Sequence, residues 1–293
     1  MRKLSDLYGP LLVLAGALCF SLSGFLQAVA PNGATPYVIA GCRMLIGSAA
    51  LFVFCLFSRT RIRWTHWPWK YVFTYAAALW CYQVLFFNAL LVVGVAVGTV
   101  VSIGVTPVAS GLIDWFRHRK APSAAWYLAT ALAIFGVFLI NAVGDLSFSR
   151  SDLLLPVLAG VCYAVEISVS KPLTENHSAP EAMMLVMLLV GLALLPFFFI
   201  YPIQWIATTN GLLVAGSLGI VTAACSFGLM VAGLKTTPAP MASTLALAEP
   251  MGAALLGILV LHESCTGQTM AGIGCIFFSI LVLIAFEQGK ENP

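Results

Sequence analysis

The chain has 293 residues, of which 61% are hydrophobic and 9% are charged, and its formal net charge is +3. Soluble domains average about 45–50% apolar and about 25% charged residues, so this chain lacks the polar residues needed to cover a water-facing surface. The composition therefore excludes a water-soluble domain and predicts an integral membrane protein.

Long apolar stretches follow one another along the whole chain. A transmembrane helix needs roughly 20 mostly apolar residues, whereas a membrane β-barrel would show alternating segments of about ten residues. The uninterrupted runs predict an all-α membrane protein with ten transmembrane helices. We place these spans near residues 8–29, 36–57, 70–91, 94–116, 122–143, 152–171, 180–201, 210–233, 238–261 and 266–286.

Basic residues are concentrated at the termini and in alternate loops. Lys and Arg are enriched in short cytoplasmic loops of membrane proteins, so this pattern predicts that both termini face the cytoplasm. We attribute the cluster "SRTRIRWTHWPWK" at 58–70 to orientation and headgroup anchoring, and we expect no nucleic-acid partner. Twelve of the 14 basic residues follow the pattern: Arg2, Lys3, Arg59, Arg61, Arg63, Lys70, Arg117, Arg119, Lys120, Lys171, Lys235 and Lys290.

Motifs for catalysis or metal binding do not occur in the sequence. The eight cysteines are scattered, without a C-x-x-C pair or a Cys/His cluster, which argues against a metal site and a disulfide framework. The sequence also lacks G-x-S-x-G, H-E-x-x-H and P-loop signatures. We therefore predict no cofactor, no metal and no enzymatic activity, and the lack of a nucleotide-binding motif argues against ATP-driven transport by this chain alone.

Weak internal similarity divides the chain into two halves. "VLAG" at 13–16 returns at 157–160, and Pro107 aligns with Pro250 at an offset of 143 residues. Each half holds five spans. Because five is odd, the second repeat must enter the membrane from the opposite side, and such inverted repeats are typical of secondary transporters. The two predicted repeats are residues 1–145 and 150–290.

Two segments carry a family resemblance that covers essentially the whole chain. They are "ALLVVGVAVGTVVSIGVTPVASGLID" at 89–114 and "GLKTTPAPMASTLALAEPMGAALLGILVLHESCTGQTMAGIGCIFFSILVLI" at 233–284. They resemble the two EamA-type repeats of the drug/metabolite transporter superfamily, and among these the YddG-like aromatic amino-acid exporters. The resemblance implies a ten-helix carrier in a bacterial-type inner membrane, with both termini cytoplasmic. The chain departs from the family where an acidic residue often closes the fourth helix, because it has "RHRK" at 117–120.

Pro107 and Pro250 lie inside the fourth and ninth predicted spans. Each lacks an N–H and bends its helix, which frees the carbonyl of Ile103 or of Ala246. Interrupted helices at corresponding positions of two repeats indicate a transporter site, so we predict that both prolines permit gating. A static kink that improves packing is the alternative.

Charged side chains also lie inside predicted spans. Glu249, near the middle of the ninth span, costs about 2.5–3.5 kcal/mol there on insertion scales. It could carry a proton, bind a substrate amine, or cross-link helices. Arg43 could pair with a carboxylate, reach outward to the interface, or recognise a substrate carboxylate, and the sequence favours a structural role or the reach to the interface. Glu166 lies near the inner interface, where we expect a solvated ion pair with Lys171.

Polar and aromatic side chains at helical spacing form stripes on several spans. Such a mixture, facing inward, suits a small amphipathic zwitterion or an aromatic molecule, although each aromatic could simply fill the core. The predicted substrate-binding residues are Ser21, Tyr75, Tyr82, Phe86, Thr99, Tyr163, Ser226, Ser243 and Glu249.

The sequence therefore predicts a carrier that exports small organic solutes or facilitates their movement by alternating access. Aromatic or other neutral amino acids fit it best, with protons as a candidate coupling ion and the lipid bilayer as its surroundings. The alternatives are a broad-specificity drug/metabolite exporter and, in a different class, a membrane receptor or scaffold that transports nothing.

Overall fold

The computed structural model describes residues 4–58, 62–63, 65–119, 121–141, 150–260 and 266–286. All regular elements in these ranges are helical, and they form ten apolar spans, which confirms the predicted all-α class and the number of spans. In chain order the spans are Leu7–Ala28, Pro36–Phe57, Trp69–Val93, Val97–His118, Ala124–Asn141, Ser151–Leu173, Ala179–Ile200, Thr209–Gly233, Ala239–Val260 and Gly267–Phe286.

The predicted ends that fall on described residues agree with these spans to within three residues. The predicted ends at 143 and 261 lie outside the described residues, as do the basic residues at positions 2, 3, 59, 61, 120 and 290. Several spans consist of more than one helix. The helices are Leu4–Phe20, Leu22–Ala28, Pro36–Phe57, Trp69–Val93, Val95–His118, Ala124–Asn141, Arg150–Leu153, Leu154–Leu173, Ala179–Leu194, Phe197–Ile200, Gln204–Ala207, Thr209–Gly219, Ile220–Cys225, Ser226–Gly233, Ala239–Leu245, Ala248–Val260 and Gly267–Phe286.

Alternate loops define two faces of the bundle. We call the face that carries Arg63, Arg119 and Lys235 the basic face, and the other the opposite face. At the opposite face the third and fourth spans are joined through Gly94, which has a φ of +82°. A positive φ is readily adopted by glycine, so this residue permits the tight turn between two long helices.

Small residues allow neighbouring spans to approach closely. A Cβ added at Gly136 in the fifth span would lie 2.7 Å from the carbonyl oxygen of Gly272 in the tenth, and the reverse contact is equally short. The hydroxyl of Ser279 also donates to the carbonyl of Ala129 at 2.7 Å. Helix pairs in membranes commonly associate through such small-residue contacts and interhelical hydrogen bonds.

A polar cluster ties three loops together at the basic face. The Nδ1 of His177 lies 3.0 Å from Oε1 of Glu181, and the backbone N–H of Arg63 donates to the same oxygen at 2.6 Å. The ring of Trp67 stacks on His177 with 3.8 Å between ring centroids. Lys235 donates to the carbonyl of His177 at 3.0 Å; partial burial lowers the pKa of its ammonium group, and the nearby Glu181 carboxylate opposes this. These contacts hold the basic-face loops against one another.

The sixth span begins with a 3-10 turn and the seventh turns at residues 195–196, near its opposite-face end. Three further spans have irregular backbone. The first span breaks at Ser21, between its two helices. The eighth contains a π-helical turn over Ile220–Cys225, and the ninth breaks at residues 246–247, before helix Ala248–Val260. Irregular backbone at membrane depth is tolerated where it is buried in protein or lines a cavity, so these positions indicate where a site would lie.

Candidate substrate-binding cavity

A cavity of about 800 Å³ lies within the helical bundle. Its mouth is formed by residues at the opposite-face ends of their spans, among them Gln27, Asn141 and Thr269. Its deepest lining residues, such as Tyr163 and Glu166, lie well inside the spans, and none of the described lining residues belongs to a basic-face loop. The cavity therefore opens toward the opposite face.

The breaks in the first and ninth spans meet at the wall of this cavity. Ser21, at the first break, donates its hydroxyl to the carbonyl of Glu249 at 2.9 Å. Gly252, three residues farther along the ninth span, packs directly against the Ser21 side chain. The two interrupted helices therefore stabilise each other through a hydrogen bond and a close contact.

Glu249 and Pro250 both line the cavity, and Glu249 is only partly buried. The sequence predicted that Pro250 would free the carbonyl of Ala246. That carbonyl accepts a hydrogen bond from the N–H of Glu249 at 3.0 Å, so a tighter turn replaces the lost helical bond. The turn leaves the carboxylate at a polar cavity rather than in lipid, where an unpartnered charge is costly.

Aromatic rings form one wall of the cavity. Tyr82 and Phe86 are stacked with 5.4 Å between ring centroids and an interplanar angle of 13°. Tyr163 approaches Tyr82 from the sixth span, with 5.5 Å between the centroids. Thr99 and Gln83 also line the cavity, so apolar surface and hydrogen-bonding groups are both present.

Arg43 reaches the cavity from the second span. Its Nη2 donates to the carbonyl of Thr222 at 2.8 Å, and its guanidinium lies over the ring of Phe20, 5.5 Å from the centroid. Thr222 belongs to the π-helical turn of the eighth span. Single π-helical turns within α-helices are frequent at functional sites, and this one supplies the carbonyl that holds the arginine.

Glu166 has different surroundings from those predicted. The expected solvated ion pair with Lys171 is wrong, because Glu166 is 1% exposed and lines the cavity. Neither carboxyl oxygen has a hydrogen-bond partner among the described residues. Lys171 lies five residues after Glu166. Because a helix turns about 100° per residue, the two side chains are on different faces of the sixth span. Of the two, only Glu166 lines this cavity.

Four of the predicted residues lie outside the cavity lining. Tyr75 is buried nearer the basic-face end of the third span than the rings that line the cavity. Ser243 donates to the carbonyl of Pro240 within its own helix, at 2.8 Å. Pro107 is buried inside the uninterrupted helix of the fourth span. Ser226 follows the π-helical turn of the eighth span.

The π-helical turn removes Ser226 from the lining. Its hydroxyl donates to the carbonyl of Val221, five residues earlier, at 3.1 Å. A π-helical turn adds a residue, which rotates the following side chains by about 100° relative to a regular helix. The neighbouring Phe227 lines the cavity instead. Sequence periodicity assumes a regular helix and could not have shown this.

The remaining predicted residues lie together at the cavity. They are Ser21, Tyr82, Phe86, Thr99, Tyr163, Glu249 and Pro250. The lining also contains residues that the sequence did not place in the site. Gln83 and Phe87 could have been found from their four-residue spacing, whereas the residues at the mouth carry no pattern that distinguishes them from other span ends. The principal additions are Phe20, Gln27, Gln83, Phe87, Asn141 and Phe227.

Within the described residues, ten apolar spans surround a solute-sized cavity with charged and aromatic walls, which is the architecture of a membrane transporter. The comparisons with known proteins identify the particular family. The EamA-like transporter family matches this chain over residues 7–142 and again over residues 150–285. The chain belongs to that family, and it is a multi-pass membrane transporter.

Relatives and a solved structure are similar to this chain along most or part of its length. A Bacillus subtilis (strain 168) protein named as an uncharacterized transporter, YwfM, is 34% identical over 285 residues, covering 96% of this chain and 95% of the relative. An uncharacterized inner membrane transporter of Salmonella typhimurium, YicL, is 25% identical over 177 residues, or 59% of each chain. A solved crystal structure shares the fold, with a TM-score of 0.84 at 16% identity over 96% of this chain and 99% of that one.

Proposed function

We propose that the protein is a secondary transporter that moves small amphipathic organic solutes, best represented by aromatic and other neutral amino acids, across a bacterial-type inner membrane. The observation that carries this proposal is the composition of the cavity wall. Stacked aromatic rings and the Glu249 carboxylate line the same space of about 800 Å³. Rings offer stacking surface for an apolar side chain, and a carboxylate attracts a substrate ammonium group.

We further propose that the solute crosses by alternating access between two inverted repeats, residues 1–145 and 150–290. The family matches the chain twice, over segments of equal length, which supports this division. The cavity opens at the opposite face, while polar contacts join the loops of the basic face. In this proposal the basic face is cytoplasmic, because Lys and Arg are enriched in cytoplasmic loops, and the structure corresponds to an outward-open state.

Transport by purified protein in liposomes tests the proposed function. Liposomes preloaded with unlabelled phenylalanine should accumulate labelled phenylalanine by exchange, and protein-free liposomes should not. Unlabelled tryptophan should compete, because it presents the same ammonium group and an aromatic ring. Movement of other organic solutes without any amino acid would identify a broad-specificity carrier, and movement of none would favour a receptor or scaffold.

The Glu249→Gln variant tests the role of the carboxylate. The amide has the same shape but no negative charge, so we expect phenylalanine exchange to fall by about tenfold, as expected when a charge-assisted hydrogen bond is lost. The Asp114→Asn variant removes an acidic group that lies at the basic face and should exchange at the wild-type rate. Equal exchange by wild type and Glu249→Gln would remove Glu249 from solute recognition.

Comparing exchange with and without an imposed pH gradient separates the two proposed uses of Glu249. If it carries the coupling proton, wild-type transport responds to the gradient and the Gln variant does not. If it only binds the substrate amine, the gradient changes neither protein's rate at saturating solute.

A further inference from the structure

Arg43 is a charged group in the cavity without a directly paired counter-charge. No carboxylate lies within 4.0 Å of it among the described residues. A guanidinium has five N–H donors, and the described residues supply one acceptor, the carbonyl of Thr222. Its Nε is buried without a hydrogen-bond partner there, and the residue lines the cavity. Arg43 therefore has donors available for a group that is not part of the protein.

The surroundings hold the guanidinium in place. Thr222 anchors one nitrogen, and the ring of Phe20 lies against the planar group. Both partners belong to spans with irregular backbone: Phe20 immediately precedes the break at Ser21, and Thr222 lies in the π-helical turn. A positioned guanidinium loses little conformational entropy on binding, and its planar fork matches the two oxygens of a carboxylate.

Arg43 and the backbone of Glu249 contact adjacent residues at the same helix break. Phe20 contacts Arg43, and the adjacent Ser21 donates to the backbone of Glu249. Both charged side chains line the cavity. A solute that carries an ammonium group and a carboxylate could therefore engage both charges at once.

We infer that Arg43 binds the carboxylate of the transported solute and thereby makes the cavity selective for zwitterions over simple amines. This inference rests on the proposed function and deepens it, because it names the group that distinguishes an amino acid from an amine. The sequence favoured a structural role for Arg43 or a reach to the membrane interface. A structural role requires only the bond to Thr222 and predicts equal effects of substitution on all solutes.

Binding of three related solutes to purified protein tests the inference. Phenylalanine has both charged groups, phenethylamine lacks the carboxylate, and 3-phenylpropionate lacks the amine. We expect the wild type to prefer phenylalanine over phenethylamine. In Arg43→Gln, phenylalanine affinity should fall by about 30-fold, in the range of a lost charge-assisted pair, while phenethylamine affinity stays within about twofold.

Two further variants keep the test decisive. Arg43→Lys preserves the charge but not the planar fork, so it should restore part of the phenylalanine affinity. Ser48→Ala removes a buried hydroxyl of the same span, which donates to the carbonyl of Met184 at 2.8 Å and does not line the cavity; it should bind all three solutes as the wild type does. Retained phenethylamine binding shows that each variant is folded.

The outcomes separate this inference from the proposed function. If Arg43→Gln lowers the affinity for all three solutes equally, or for none of them, Arg43 is structural and the inference is overturned while amino-acid transport stands. If the wild type binds phenethylamine as tightly as phenylalanine, the carboxylate is not recognised and the inference also fails. If the wild type binds none of the three, the proposed substrate class is wrong and the inference falls with it.

Discussion

The fourth and ninth spans contain prolines that align 143 residues apart, yet their backbones differ. Helix Val95–His118 continues through Pro107 without interruption. The ninth span divides before Pro250 into two helices, Ala239–Leu245 and Ala248–Val260. The same residue at matching positions therefore does not impose the same structure.

The two prolines also have different neighbouring spans. The fourth span packs closely on the sixth, where a Cβ at Gly160 would meet Val105 at 3.0 Å. Thr106, beside Pro107, donates its hydroxyl to the carbonyls of Ser102 and Gly160, at 2.9 and 3.2 Å. These bonds satisfy carbonyls within and across the two helices. The carbonyl that Pro107 frees is that of Ile103, so these bonds hold the fourth span against the sixth and do not replace the lost helical bond.

The ninth span has a different neighbour at its proline. The turn at residues 246–247 meets the break of the first span, where Ser21 donates to the carbonyl of Glu249. The proline whose span bonds to the first span therefore lies beside a break, and the proline packed on the sixth span does not. Pro250 of the broken helix lines the cavity and Pro107 does not, so the two family-matched segments contribute unequally to the candidate site.

Replacing Pro250 should have the largest effect on this asymmetry. In Pro250→Ala the restored N–H can donate to the carbonyl of Ala246, which favours a continuous helix. A straightened helix would rotate Glu249 relative to the cavity, so we expect phenylalanine exchange in liposomes to fall by about tenfold or more, as misplacement of a binding group does. The thermal unfolding temperature should stay the same or rise.

Pro107→Ala is the matched control. Because the fourth span is already continuous, exchange should remain within about twofold of the wild type. If the two alanine variants lose activity equally, the break at Pro250 has no special role, and the comparison between the two spans loses its functional meaning.

Ser21→Ala should have a smaller effect. It removes the bond to the Glu249 carbonyl, worth about 0.5–1.5 kcal/mol, and loosens the junction of the two breaks. We expect the concentration of phenylalanine for half-maximal exchange to rise by about twofold to thirteenfold, which corresponds to that free energy.

Ser279→Ala provides the control for a buried hydroxyl. Its bond to the Ala129 carbonyl, at 2.7 Å, joins the fifth and tenth spans, and Ser279 does not line the cavity. This variant should lose stability without a change in half-maximal concentration. A Ser21→Ala protein that behaves in the same way would show that the junction contributes only to stability.

The fold was predictable because the number of spans follows from the length of the apolar runs alone. Apolar runs long enough to cross a membrane have a fixed minimum length, and they located the described ends of the ten spans to within three residues. Glu249 and Pro250 were also identifiable, since a carboxylate and a proline in an apolar run both require an explanation. These features depend on the local sequence and not on the arrangement of the spans.

Other features depend on how the helices deviate from regularity and on how they pack. The π-helical turn at Ile220–Cys225 moves Ser226 out of the lining and Phe227 into it. Ile167, the residue after Glu166, lines a separate cavity at the basic face. A rotation of the sixth span by one residue would therefore give the Glu166 carboxylate different surroundings. The surroundings of Arg43 depend on a carbonyl 179 residues away. A pattern of residues along the sequence does not show which distant residues come into contact.

The central claim is that the cavity beside Glu249 is open to water and holds the solute. An Ala253→Cys substitution in the cavity lining tests it most directly, in a variant whose native cysteines are replaced. A membrane-impermeant thiol reagent added at the opposite face should modify this position, and phenylalanine should slow the reaction. Leu213→Cys, at a residue 66% exposed on the outside of the bundle, should resist the reagent in the bilayer. Failure of position 253 to react, or reaction at a rate that phenylalanine does not change, would contradict the account.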